Sequence, residues 1–181
     1  ALLILLTGGL LVALAVASFI FSKSSGYFYG TAIVWLYLMY KEFFVGNWLS
    51  AKPILYAITH QIVIFPLCLF AIALFNPSVA LTAEGISFGL LILTGFFTFE
   101  VGRKLDPSSH DILKTYLNVY GAKKVILIIC ILQAIAIYAA IVLGMLWWVL
   151  IPSVLIIISL PKLITRPTEF KNLEGLISLN L

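Results

Sequence analysis

A short polar stretch between two long apolar segments concentrates the residues that could do chemistry. Residues 99–124 read FEVGRKLDPSSHDILKTYLNVYGAKK and hold nine of the twenty Lys, Arg, Asp, Glu and His residues of the chain. Nothing breaks the preceding apolar helix before Pro107, so Glu100, Arg103 and Lys104 are predicted to share one helix face. Glu100 is either a carboxylate ligand for a metal or the acidic partner of an ordinary i,i+4 pair with Lys104, and the residues alone favour the pair.

The second half of this stretch has the pattern of a short amphipathic helix. Ser108 precedes Asp111 by three residues, which resembles a capping box and predicts a new helix start. Apolar and polar side chains then fall on opposite helical stripes. The apolar stripe comprises Ile112, Leu113, Tyr116, Leu117 and Tyr120, and the polar stripe comprises Asp111, Lys114, Thr115 and Asn118. Gly121 is predicted to end this helix as a C-cap, and we expect the helix to lie over the mouth of a bundle.

The composition places these residues in a membrane protein. Of the 181 residues, 63% are hydrophobic and 10% are charged, whereas soluble domains carry about 25% charged residues. Six apolar stretches are each interpreted as a spanning helix. They are residues 1–21, 27–45, 54–75, 86–99, 125–143 and 145–160. The predicted fold is all-α: a polytopic transmembrane helical bundle forming a single domain over residues 1–181, with about six spanning helices and a short amphipathic cytoplasmic helix.

The basic residues predict which side of the membrane each connection faces. With six crossings, ten of the eleven Lys and Arg residues fall on one face, and Lys23 alone falls on the other. By the positive-inside rule, the basic face is cytoplasmic, together with the N-terminus and residues 102–124. The net charge of +4 is therefore assigned to topology, and no nucleic-acid partner is predicted. Membrane lipid is an expected partner, since basic residues near the inner leaflet attract anionic headgroups.

The run from Lys114 to Gly121, KTYLNVYG, follows an acid-containing helix end. It resembles the KTLPVxLG tail of the second aspartate motif in UbiA-type intramembrane prenyltransferases. Tyr40 and Lys41 lie where that family has an aromatic-basic segment at a cytoplasmic helix end. The six stretches are similar to the family's third to eighth helices, so the resemblance covers most of the chain. Because the family's first aspartate motif is missing and Ala1 lies inside an apolar run, we expect an N-terminally truncated part of a longer bundle, inactive by itself.

The resemblance implies transfer of an isoprenoid group from a prenyl diphosphate to a lipophilic or aromatic acceptor. In the family, two acidic motifs at the cytoplasmic mouth bind Mg²⁺ and, through it, the diphosphate; such a hard cation prefers oxygen ligands. The implied catalytic residues are Glu100 and Asp106, and the implied Mg²⁺ ligands are Glu100, Asp106 and Asp111. The implied diphosphate-binding residues are Arg103, Lys104, Lys114 and Lys41. Lys104 stands where an ungapped comparison expects an aspartate.

Two other functions remain open at the level of sequence. His60 and Gln61 lie about 10 Å deep in the third stretch, counted from Pro53 at about 1.5 Å per residue. Polar groups at that depth usually face the bundle interior, and the favoured interpretation is an interhelical hydrogen bond, with Pro66 kinking the same helix. A transporter or permease that uses this broken helix as a polar path is one alternative. A lipid-binding membrane subunit without catalytic activity is the other.

Overall fold

The computed structural model describes residues 2–105, 116–165 and 175–177, with side chains from residue 6 onward. The described residues form helices joined by short turns, and no strand occurs among them, so the fold is all-α as predicted. The helices are α1 (Leu2–Phe21), α2 (Lys23–Tyr40), α3 (Gly46–Ser50), α4 (Pro53–Gln61), α5 (Ile64–Phe75), α6 (Ala83–Arg103), α7 (Tyr116–Val142), α8 (Leu146–Ser159) and α9 (Lys162–Thr165), with a short 3₁₀ turn at Glu42–Phe44 between α2 and α3.

Four helical segments of the described chain are long and apolar enough to cross a membrane. They are Pro53–Phe75, Ala83–Arg103, Tyr116–Val142 and Leu146–Thr165, and they correspond to the last four predicted stretches. The first two predicted stretches fold as α1 and α2. Among the residues searched, α1 contributes the apolar helix Leu6–Phe21, which is shorter than these four segments. Helix α2 carries more polar side chains than they do. The chain is a membrane protein, and four of its helices meet the requirements for a span.

The segment Pro53–Phe75 is broken in the middle by a proline. Helix α4 ends at Gln61 and α5 begins at Ile64, with a turn at Ile62 and Val63 between them. Pro66 lacks the N–H that would bond to the carbonyl of Ile62, four residues earlier, and its ring crowds that carbonyl. The predicted kink at Pro66 is therefore confirmed, and the break lies one turn before the proline.

A buried polar network joins the three helices at the centre of the bundle. Gln133 on α7 donates a hydrogen bond to the hydroxyl of Thr98 on α6 (3.3 Å) and accepts one from Ser153 on α8 (2.7 Å). All three side chains are buried, with at most 1% of their surface exposed. Interhelical hydrogen bonds of this kind hold membrane helices together where the hydrophobic effect gives no drive for association.

Contacts across the bundle show which helix ends lie on the same side of the molecule. Helix α2 runs antiparallel to α4 and α5, because Tyr29 packs on Phe70 (ring centroids 4.9 Å apart) while the Trp35 indole donates to the carbonyl of Thr59 (2.7 Å). The N–H of Ile54 at the start of α4 donates to the Tyr120 hydroxyl (3.3 Å). The end of α2, the start of α4, the end of α6 and the start of α7 therefore lie together. This basic end contains Lys41, Lys52, Arg103, Lys104, Lys123, Lys124 and Lys162, and Lys23 lies at the opposite end.

Candidate functional site

At the basic end, Glu100 is clamped between two cations from its own helix. Its carboxylate oxygens lie 2.6 Å from the Arg103 guanidinium and 2.5 Å from the Lys104 ammonium. The Glu100 side chain is only 13% exposed, whereas Arg103 is 56% and Lys104 is 42% exposed. The predicted sharing of one helix face, and the ordinary i,i+4 pair, are confirmed. Because the acid faces inward and the cations face outward, the cluster presents positive charge to its surroundings.

The end of α6 is built to hold these side chains in place. Arg103 is the last helical residue, and the N–H of Lys104, the C-cap, donates to the carbonyl of Val101 (3.1 Å). Cations in the last turn also interact favourably with the negative end of the helix dipole. On the opposite side, Gly102 admits Ile177, because an added Cβ at Gly102 would lie 2.8 Å from the Ile177 Cδ1 atom. Ile177 thus packs on the helix that carries the cluster.

Tyr116 completes the described part of the cluster. Its side chain is 1% exposed, and its ring centroid lies 5.6 Å from the Lys104 ammonium nitrogen. Within the described residues its hydroxyl is buried and has no hydrogen-bond partner. The predicted amphipathic pattern holds where it can be followed: Tyr116 is buried, Leu117 and Tyr120 are half-buried, and Asn118 is exposed. The predicted start of this helix at Ser108 lies outside the described residues.

Gly121 separates this short helical stretch from the long part of α7. Its backbone adopts φ 75° and ψ 159°, a conformation that only glycine adopts readily. The predicted end of the amphipathic helix at Gly121 is confirmed. The consequence is a bend that sets the Tyr116–Tyr120 turn apart from the spanning helix below it.

Lys41 is not joined to the Glu100 cluster. It is exposed, and its ammonium nitrogen lies 5.1 Å from the ring centroid of its neighbour Tyr40. No ion pair or hydrogen bond connects it to Glu100, Arg103 or Lys104 among the described residues. Lys41 therefore belongs to the basic end in general, and its predicted diphosphate-binding role stays a prediction.

The remaining predicted ligands, Asp106, Asp111 and Lys114, lie outside the described residues. Inside them, no group of three or more His, Cys, Asp or Glu side chains is positioned to hold a metal ion. Glu100 has two cations as its neighbours instead of a second acid. Since cations repel Mg²⁺ and attract anions, the described side chains suit an anionic group and do not by themselves form a Mg²⁺ site. The predicted magnesium site of Glu100, Asp106 and Asp111 therefore stays a prediction.

An apolar cavity of about 200 Å³ lies between the α4–α5 break, α6 and α7. It is lined by Ile58, Gln61, Ile62, Leu90, Leu93, Thr94, Phe97, Leu132 and Ile135. Phe97 precedes Glu100 by three residues, or about 4.5 Å of helix rise, so the nearest cavity-lining residue on α6 is about one helical turn from the charged cluster. A second cavity of about 330 Å³, lined in part by Phe88, Trp148 and Pro152, lies between α6, α7 and α8.

His60 and Gln61 differ from each other in their surroundings. His60 lies 2.8 Å from the carbonyl oxygen of Tyr56 through Nδ1, stacks on the Tyr56 ring at 4.0 Å and meets the edge of Phe43. The predicted interhelical hydrogen bond of His60 is therefore wrong, because its closest partner is the backbone of its own helix. Gln61 lines the apolar cavity.

Gln133 is the buried polar residue that the sequence interpretation missed. It lies inside an uninterrupted apolar run, and its partners are 35 and 20 residues away along the chain. A single glutamine in such a run was a detectable signal, because polar side chains in a membrane span usually face other helices.

Comparisons with known proteins leave the family open. No protein-family model matches the chain. Neither a curated protein nor a solved structure matches it.

Proposed function

We propose that this chain is the part of a UbiA-like membrane prenyltransferase that holds the prenyl diphosphate. The observation that supports the proposal most is the order of two features along α6, a pair of cations followed by an apolar cavity. Arg103 and Lys104 turn outward from Glu100 at the basic end, and an apolar cavity begins one helical turn below, at Phe97. A prenyl diphosphate has the matching order of a multiply charged head and an apolar chain.

The proposal includes six membrane crossings with the basic end in the cytoplasm. Helices α1 and α2 have 20 and 18 residues, or about 30 Å and 27 Å of rise, which is comparable to the hydrocarbon thickness of about 30 Å. With these two added to the four apolar segments, the connections alternate sides and leave Lys23 alone on the outer face.

In the proposed site, the diphosphate competes with Glu100 for the two cations. Arg103 can bind two phosphate oxygens through its planar guanidinium, while Lys104 acts as a point charge. Mg²⁺ dependence belongs to the proposal through Glu100, Asp106 and Asp111, and a bound Mg²⁺ would offset charge on the departing diphosphate. An acceptor of lipophilic or aromatic character would reach the site from the membrane.

The test is turnover by the full-length protein that contains this chain. We expect it to release diphosphate from a prenyl diphosphate in the presence of Mg²⁺ and a mixture of lipophilic and aromatic acceptors. The Arg103→Ala variant should lower the rate at least ten-fold, because it removes a charged contact to the leaving group. Lys23→Ala, which removes the same charge at the opposite end, should leave the rate unchanged. No release by the wild-type protein with any acceptor would contradict catalysis.

A transporter is kept as a second candidate because of the broken third span. The α4–α5 break lies beside Gln61, which lines a cavity inside the membrane region, and discontinuous helices are typical of transporter binding sites. If the chain is a transporter, we expect His60→Ala to abolish substrate uptake in reconstituted vesicles and Glu100→Ala to leave it unchanged. Binding of prenyl diphosphate without any release of diphosphate would instead favour a non-catalytic lipid-binding subunit.

A further inference from the structure

Tyr116 has the one buried side-chain oxygen that lacks a hydrogen-bond partner in the part of the chain the structure describes. Burying a hydroxyl without a partner is unfavourable, and a phenylalanine would fill the same space without that cost. The neighbouring Tyr120 shows the usual solution, since its hydroxyl accepts a hydrogen bond from the N–H of Ile54. The Tyr116 hydroxyl therefore needs an explanation other than packing.

The surroundings of Tyr116 indicate what the missing partner is. The Lys104 ammonium nitrogen lies 5.6 Å from the ring centroid of Tyr116, and Lys104 and Arg103 both pair with Glu100. Glu100 accepts from the two cations and makes no hydrogen bond with the Tyr116 hydroxyl, and cations accept no hydrogen bond. The groups around the hydroxyl thus leave a donor without an acceptor next to two outward-facing positive charges.

We propose that the Tyr116 hydroxyl donates a hydrogen bond to a phosphate oxygen of an anion held by Arg103 and Lys104. The inference rests on the proposed function, because it assigns to the same site a third, uncharged donor. The ligand class is a phosphate ester or a diphosphate, which either a prenyl diphosphate or an anionic phospholipid headgroup supplies. A buried donor selects a ligand by the position of one phosphate oxygen, whereas the exposed cations respond mainly to the charge of the group.

The experiment compares Tyr116→Phe with Tyr120→Phe in the full-length protein that contains this chain, purified in detergent. Each variant removes one tyrosine hydroxyl and nothing else. Binding of farnesyl diphosphate, inorganic diphosphate and phosphatidic acid is measured by calorimetry, with farnesol as the ligand without an anion, and thermal unfolding is measured without ligand. We expect Tyr116→Phe to weaken binding of the anionic ligands about ten-fold, the size of a hydrogen bond to a charged acceptor, and to keep or raise the melting temperature. Tyr120→Phe should lower the melting temperature and leave the affinities unchanged.

The outcomes separate the inference from the function on which it rests. Equal affinities of wild type and Tyr116→Phe for every anion would overturn the inference, as would the absence of anion binding by the wild type. A melting temperature lowered by Tyr116→Phe without a loss of affinity would also overturn it, since the hydroxyl would then have a partner in the protein. If phosphatidic acid or inorganic diphosphate binds as tightly as farnesyl diphosphate, and Tyr116→Phe still weakens binding, the inference stands and the prenyltransferase proposal fails.

Discussion

At the residue scale, the charge of Glu100 is neutralised by Arg103 and Lys104 of its own helix, and these two cations remain exposed to a ligand. The pair was predictable because spacing along a helix determines which side chains meet. The burial of the acid beside Tyr116 was not, because it depends on how α7 returns to α6 after residues 106–115. Gln133 was detectable as a single glutamine in an apolar run, but its partners were not predictable, because its hydrogen bonds join three helices.

The competition between Glu100 and an anion gives a measurable effect. In the absence of Mg²⁺, we expect Glu100→Gln to bind inorganic diphosphate about two- to five-fold more tightly than wild type, because partly exposed ion pairs contribute about 0.2–1 kcal/mol and the variant releases both cations from them. Isothermal titration of the purified chain measures this. Unchanged or weaker binding would show that Glu100 does not compete with the anion, and Glu84→Gln, at the opposite end of α6, is the matched control.

The buried network predicts unequal effects of two serine substitutions on α8. Ser153 donates a hydrogen bond across to Gln133, whereas the half-buried Ser159 donates back to the carbonyl of Leu155 in its own helix. We expect Ser153→Ala to lower the free energy of unfolding by about 1 kcal/mol and Ser159→Ala to change it by less than about 0.5 kcal/mol. Unfolding in mixed detergent micelles provides the measurement, and equal effects would mean that the interhelical bond contributes nothing.

At the element scale, proline and glycine decide where the helices break. The α4–α5 break and the bend at Gly121 were both predictable, because Pro66 removes a backbone donor and Gly121 interrupts an amphipathic pattern. The close packing of Ile177 on Gly102 was not predictable, since a glycine inside an apolar helix does not say which segment will approach it.

Gly121 and Gly30 allow a matched test of this interpretation. Gly121 has φ 75° and ψ 159°, and Gly30 lies inside α2 with no atom within 4 Å of an added Cβ. We expect Gly121→Ala to destabilise the protein by about 1–3 kcal/mol through backbone strain. Gly30→Ala should be neutral or stabilising by up to about 1 kcal/mol, because alanine favours helix. Thermal unfolding of both variants measures the difference, and an unchanged melting temperature for Gly121→Ala would contradict the strain.

At the scale of the whole molecule, the proposed orientation and the proposed site rest on the same distribution of charge. The sequence predicted the all-α membrane fold, because its apolar stretches are long enough to span as helices, which satisfy their backbone hydrogen bonds internally. It did not establish how many helices cross, because α2 is interrupted by polar side chains and is less apolar than the four clear spans.

The proposed orientation is tested by accessibility of introduced cysteines. After replacement of Cys68 and Cys130 by alanine, we expect Lys123→Cys to react with an impermeant maleimide only from the cytoplasmic side of sealed vesicles. Lys23→Cys should react only from the outer side, because the positive-inside rule places the two ends on opposite faces. Labelling of both positions from the same side would contradict six crossings.

The central claim is that a prenyl diphosphate lies along α6, with its head on Arg103 and Lys104 and its chain in the cavity at Phe97. Photo-crosslinking with a prenyl diphosphate that carries a diazirine in its chain tests this most directly. We expect crosslinks on residues of the 200 Å³ cavity. These crosslinks should be lost on addition of unlabelled prenyl diphosphate and in the Arg103→Ala, Lys104→Ala double variant. Crosslinks concentrated at the Phe88 and Trp148 cavity, or insensitive to the double substitution, would contradict it.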